Sequence, residues 1–169
     1  MKEKNAVQDI LKQAIIMESR AKALYSKVSE LSPHEGARRI FGVLAKEEQL
    51  HIDFLMKQYE HFQKNQQFAN FEADITSEVP QLADLVISQS LKEEISGAGF
   101  EAAAISAAID MENKTVAAYL ARANDATDPA EKAFYIFLAN WEKDHHKLLV
   151  DLNRELTEKI WYDNQFWPF

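Results

Sequence analysis

Two Glu-x-x-His segments, Glu48 to His51 and Glu142 to His145, are the part of this chain best suited to chemistry. On a helix that spacing places a carboxylate and an imidazole one turn apart on the same face. Each segment follows a second acidic motif, a Glu with a Tyr seven residues later: Glu18 with Tyr25, and Glu112 with Tyr119. All these pairs are related by one offset of 94 residues (142 − 48), which also aligns Ala14-Ile15 with Ala108-Ile109, Met17 with Met111, Leu44-Ala45 with Leu138-Ala139, and Leu55 with Leu149. The chain is an internal repeat. Positions 41, 44, 48, 51 and 55 read Phe, Leu, Glu, His, Leu, and positions 135, 138, 142, 145 and 149 read Tyr, Leu, Glu, His, Leu. This three-four alternation sets each Glu and His in an apolar seam. Glu18 shares a stripe with Leu11, Ala14 and Tyr25, and Glu112 with Ile105, Ala108 and Tyr119.

Four carboxylates are thus aimed at one interior, where bare charge is costly and like charges repel. Two divalent cations supply +4 against the −4 of four ionised Glu, with both imidazoles neutral. Glu48 and Glu142 are placed to bridge such a pair, Glu18 and Glu112 to cap one ion each, and His51 and His145 to give each a nitrogen. Oxygen-rich donors with one imidazole per ion and no sulfur suit iron or manganese. Open positions would remain for dioxygen, peroxide or water. One Glu-x-x-His in a helical protein is ordinarily a solvated pair. Two copies, each matched to an inward Glu, are not.

The elements that must position these groups are long helices. The 169 residues are 47% hydrophobic, with only four Gly and four Pro. Apolar residues recur at three-four spacing over about 4–30, 33–65, 100–124 and 128–159. Ser32-Pro33-His34-Glu35 and Asp128-Pro129-Ala130-Glu131 both read as cap, proline, then acid at the third position. The expected fold is all-α: a four-helix bundle of two antiparallel hairpins joined by a long crossover. Residues 1–160 form the bundle, and 161–169 an aromatic, non-helical tail packing on the bundle or on a dimer partner. The crossover, about 66–98, holds Pro80, a short apolar stretch (Leu82, Leu85, Val86) and Gly97.

Composition excludes several classes of function. Zero Cys removes disulfides, Cys-ligated metals and thiol nucleophiles. A charge of 19 − 27 = −8 disfavours nucleic acid as the main partner. No stretch approaches the length of a membrane span, and the polar start does not read as a secretory signal. A cytoplasmic protein is expected. His146 is expected to be exposed, Glu47 to be solvated about 100° around the helix from Glu48, and the run Lys92-Glu93-Glu94 to form a solvated face. Met17 and Met111 read as core packing.

On Glu18 with Tyr25, Glu48-x-x-His51, Glu112 with Tyr119 and Glu142-x-x-His145, the chain resembles the rubrerythrin branch of the ferritin-like superfamily. The resemblance spans the four helices. It implies a non-haem di-iron centre that reduces hydrogen peroxide or activates dioxygen, commonly in homodimers, with Tyr25 and Tyr119 hydrogen-bonding ligand carboxylates. Two departures stand out. Rubrerythrins proper carry a rubredoxin-like domain with Cys pairs, and this chain has none, so electrons must come from an external donor. They also carry a further Glu one turn after the third-helix ligand, where this chain has Thr115, which brings the ligand set closer to bacterioferritin-type centres. Iron handling by ferroxidation is therefore the alternative activity, and manganese or a mixed pair the alternative metal.

Overall fold

Helices built on three-four apolar spacing have little stability until their stripes are buried against one another. The computed structural model, which describes residues 2–69, 79–82 and 99–163, shows how this chain buries them. Helices α1 (Lys2–Leu31) and α2 (Glu35–Asn65) form one hairpin, and α3 (Phe100–Asp125) and α4 (Pro129–Asp163) the other. The second hairpin lies against the first, with α1 touching α3, in a four-helix bundle. Within the crossover, a 3-10 turn (Val79–Leu82) touches α4 and α2, and both Val79 and Leu82 are buried. Leu85, Val86, Gly97 and the 92–94 charge run lie outside the described residues, as does the tail from 164 onward.

Two apolar clusters fill the bundle. One gathers Tyr25, Phe41, Leu44, Ile105, Leu149 and Leu152; the other gathers Leu11, Leu55, Phe134, Tyr135, Leu138 and Tyr119. The repeat offset exchanges them. Tyr25, Phe41 and Leu44 in the first correspond to Tyr119, Tyr135 and Leu138 in the second, while Leu11 and Leu55 correspond to Ile105 and Leu149. This exchange is what a pseudo-two-fold axis between the hairpins produces. Met17 and Met111 pack, partly buried, against opposite clusters.

The helix ends depart from expectation in two places. Asp128 caps α4 as the sequence predicts, its Oδ1 accepting from the Ala130 N–H at 2.8 Å. At α2 the cap residue is His34 rather than Ser32, with no side-chain bond to the helix. Ser32 Oγ instead accepts the His34 N–H at 3.2 Å and donates to Glu101 Oε1, in α3, at 2.6 Å. A tertiary partner has drawn the hydroxyl away from the cap. α4 also runs on through Trp161-Tyr162-Asp163, residues expected to be non-helical.

These ends differ in what they support. Replacing Asp128 by Ala removes one local cap and should cost about 1 kcal/mol. Ser32→Ala strips a buried carboxylate of its hydroxyl donor and should cost about 1–3 kcal/mol. Urea unfolding of the two variants should give the lower midpoint for Ser32→Ala; the reverse order would refute the tertiary role of Ser32.

Candidate metal centre

Between the two apolar clusters the bundle carries a polar layer. Glu18 comes from α1, Glu48 and His51 from α2, Glu112 from α3, and Glu142 and His145 from α4. All six are at most 1% exposed. The three-four register explains why. Leu44 and Leu55 bracket the α2 pair, Leu138 and Leu149 bracket the α4 pair, and all four leucines are fully buried, so the helices cannot seat these leucines without turning the Glu and His inward.

The layer has near-two-fold geometry. His51 Nδ1 lies 3.2 Å from Glu48, 2.6 Å from Glu142 and 3.7 Å from Glu18. His145 Nδ1 lies 3.2 Å from Glu142, 3.1 Å from Glu48 and 3.9 Å from Glu112. Each imidazole therefore faces both central carboxylates and one peripheral carboxylate. The tyrosines cross over between the hairpins. Tyr25 in α1 donates to Glu112 in α3, and Tyr119 in α3 donates to Glu18 in α1. Each hydroxyl fixes one oxygen of a peripheral Glu. Thr115, also buried, stands one turn beyond Glu112 and offers no carboxylate.

Electrostatics divide the six groups. Burial, reinforced by Glu142, raises the pKa of both Glu18 and Glu112 well above the carboxylate range. Burial and Glu142 also push Glu48 upward, but the facing imidazoles of His145 and His51 outweigh them and leave it low. Burial opposes ionisation of Glu142 as well, and His51 and His145 overcome it. Both imidazoles are held well above the usual histidine value against the pull of burial, His51 by Glu142 and His145 by Glu142, Glu47 and Glu48. Burial, with the facing Glu in each case, likewise raises both tyrosines, so they stay neutral donors.

The donor set fits a metal ion. One ligand atom from each of Glu48, His51, Glu142 and His145 lies within 4.8 Å of the others. Among the described residues, Glu48 Oε2, His51 Nδ1 and both Glu142 oxygens make no well-formed hydrogen bond, although all are buried. Buried carboxylate oxygens facing buried imidazole nitrogens without formed bonds are suited to hold a metal ion.

One neighbour was not anticipated. Glu47, expected in solvent, is 2% exposed. Its Oε2 lies 2.9 Å from His145 Nε2 and accepts from Trp141 Nε1 at 2.9 Å, while its Oε1 accepts the Val79 N–H at 3.2 Å. An inward helix face is wide enough that a residue 100° from the seam can still be covered, and here α4 and the crossover cover it. The available signal was a break in the repeat, since the offset pairs Glu47 with Trp141 rather than with an acid. His146 is half-buried rather than exposed, and it is not among the residues that converge on the layer.

Compared with known proteins, the chain fits the rubrerythrin family over residues 9–156. No curated protein and no solved structure matched it. Its helical bundle, its buried layer of Glu and His able to bind metal and this match agree: the chain belongs to the rubrerythrin family.

Proposed function

We propose that this protein is a di-iron carboxylate oxidoreductase that reduces hydrogen peroxide or activates dioxygen. The observation that carries the reading is the convergence of two imidazoles and four carboxylates, with near-two-fold geometry, in a layer sealed by apolar clusters. Glu48 and Glu142 are the bridging ligands in this reading, Glu18 and Glu112 the outer carboxylates, and His51 and His145 the nitrogen ligands. Two ferrous ions bound there would supply the two electrons that, with two protons, convert peroxide to two waters.

The residues around the site do the positioning. Tyr25 and Tyr119 each hold one oxygen of a peripheral carboxylate; in Glu18 the other oxygen faces His51 at 3.7 Å, and in Glu112 the held oxygen is itself 3.9 Å from His145. A cavity of ≈ 280 Å³ is lined in part by Ala14, Met17 and Tyr119, the residue that bonds Glu18. In this reading the electrons come from an external donor, since Cys-ligated iron is absent from these 169 residues. We place the protein in the cytoplasm, as a homodimer; among the described residues no helix is long and apolar enough to cross a membrane.

A second reading, ferroxidation for iron handling, is favoured by Thr115. With no carboxylate at that position the outer ligands stay matched in the two halves, one Glu and one His each. Assembly size separates the readings, since storage needs a hollow oligomer and a dimer has no room for mineral.

Two measurements test the proposal. Mixing diferrous protein with peroxide in a stopped-flow instrument should oxidise the iron faster than free ferrous ion in the same buffer; equal rates would overturn the enzymatic reading. Loading should also release protons, because ligands bind deprotonated. The layer favours the protonated form of both imidazoles and both peripheral carboxyls, so these are the groups that would give up protons to a metal ion. Calorimetry at neutral pH in buffers of different ionisation enthalpy should detect that release, with apparent affinity rising as pH rises. Uptake without proton release would refute the assignment of these ligands.

A further inference from the structure

The two halves of the polar layer match in their inward groups but not in what stands behind the imidazoles. Behind His145 is Glu47, a buried carboxylate anchored by the Trp141 indole N–H and by the Val79 backbone N–H, with its Oε2 at 2.9 Å from His145 Nε2. Behind His51 is the residue that the repeat puts in place of Glu47, namely Trp141. Its ring meets the His51 ring edge to face, with centroids 4.1 Å apart. Among the described residues His51 Nε2 has no hydrogen-bond partner. Trp141 therefore serves both halves in opposite senses: its N–H steadies the acid behind one histidine, and its ring closes off the other.

For a metal-binding histidine this difference has a defined chemical effect. A carboxylate that accepts the Nε2 proton fixes the tautomer, leaves the Nδ1 lone pair directed at the ion, and raises the basicity of the ring. Loss of such an outer partner typically costs about 10–100-fold in metal affinity. Among the described residues His51 has no comparable acceptor at Nε2, where the Trp141 ring packs instead.

We infer that Glu47 is a positioning residue that makes the two metal positions inequivalent, so that the position served by His145 and Glu112 fills first and holds its ion more tightly than the one served by His51 and Glu18. The inference rests on the metal-centre reading above. It is distinct from that reading, because a symmetric pair of equal sites would satisfy the ligand set just as well.

The test is titration of metal-free full-length protein with Mn²⁺, with free ion followed by its EPR signal and heats by calorimetry. The wild type should bind in two resolved steps. Glu47→Gln should weaken the tighter step about tenfold or more while leaving the weaker step in place. Trp141→Phe keeps a ring against His51 but removes the N–H that anchors Glu47, so it should shift the tighter step the same way by less; it also serves if Glu47→Gln fails to fold by circular dichroism. His145→Ala should abolish the tighter step, and His51→Ala the weaker one. Two equal sites, or a tight step unmoved by Glu47→Gln, or one that survives His145→Ala and vanishes in His51→Ala, would overturn the inference and leave the metal centre standing. Failure of the wild type to bind Mn²⁺ or Fe²⁺ would instead remove the metal centre, and this inference with it.

Discussion

Buried negative charge must be neutralised, and that requirement shapes the centre of this bundle. Four carboxylates sit at most 1% exposed between two apolar clusters. An isolated carboxylate in such surroundings gives up its charge by protonation or finds a cation. The layer draws on both routes. Burial pushes Glu18 and Glu112 toward the neutral acid, while His51 and His145 hold Glu48 and Glu142 toward the ionised form. Glu47, a further buried acid, stands behind His145 and is held by the Trp141 and Val79 N–H groups.

Pseudo-symmetry gives the layer its shape, and the departures from it give the layer direction. The residues that pack or face the centre repeat, and the clusters exchange as a two-fold axis demands. Outside this shell the repeat lapses. Glu47 corresponds to Trp141, the Ser32–Glu101 bond joins the first hairpin to α3, and Arg122 grips Glu131 with two N–H donors at 2.9 and 2.6 Å within the second hairpin. Each of these is a buried or half-buried acid given a donor by a different element. The inner layer is thus symmetric, held in a frame that is not.

This division also explains what the sequence revealed. Glu18, Glu48, His51, Glu112, Glu142 and His145 were legible because each lies in register with apolar neighbours, and helical period alone then turns it inward. Tyr25 and Tyr119 followed from the resemblance, and the structure shows which carboxylate each one meets. Glu47 was not legible, because its burial depends on Trp141 in a distant helix and on Val79 in a crossover whose path no local pattern sets. The misplaced cap at α2 has the same origin. Ser32 has the right chemistry for a cap, but its hydroxyl is claimed by Glu101, and only the packed bundle brings those residues together. Local periodicity reports which way a side chain faces. It does not report what comes to cover it.

That difference bears on why the layer exists at all. Six polar side chains at a bundle's centre are a poor way to gain stability, since well-packed apolar residues of similar volume commonly serve as well or better than buried ion pairs. The leucines that bracket each Glu-x-x-His show that this core can accommodate such residues one turn away. A bundle that needed only to fold would have little use for matched carboxylates on all four helices, tyrosines crossing between hairpins to hold two of them, or an acid anchored at both oxygens behind one imidazole. Each added contact restricts the orientation of a group already costly to bury. Orientation matters little to a protonated acid in an inert core and a great deal to a ligand, whose lone pair must point at an ion. The investment in aim, more than the presence of charge, is the physical argument that the layer serves to hold metal.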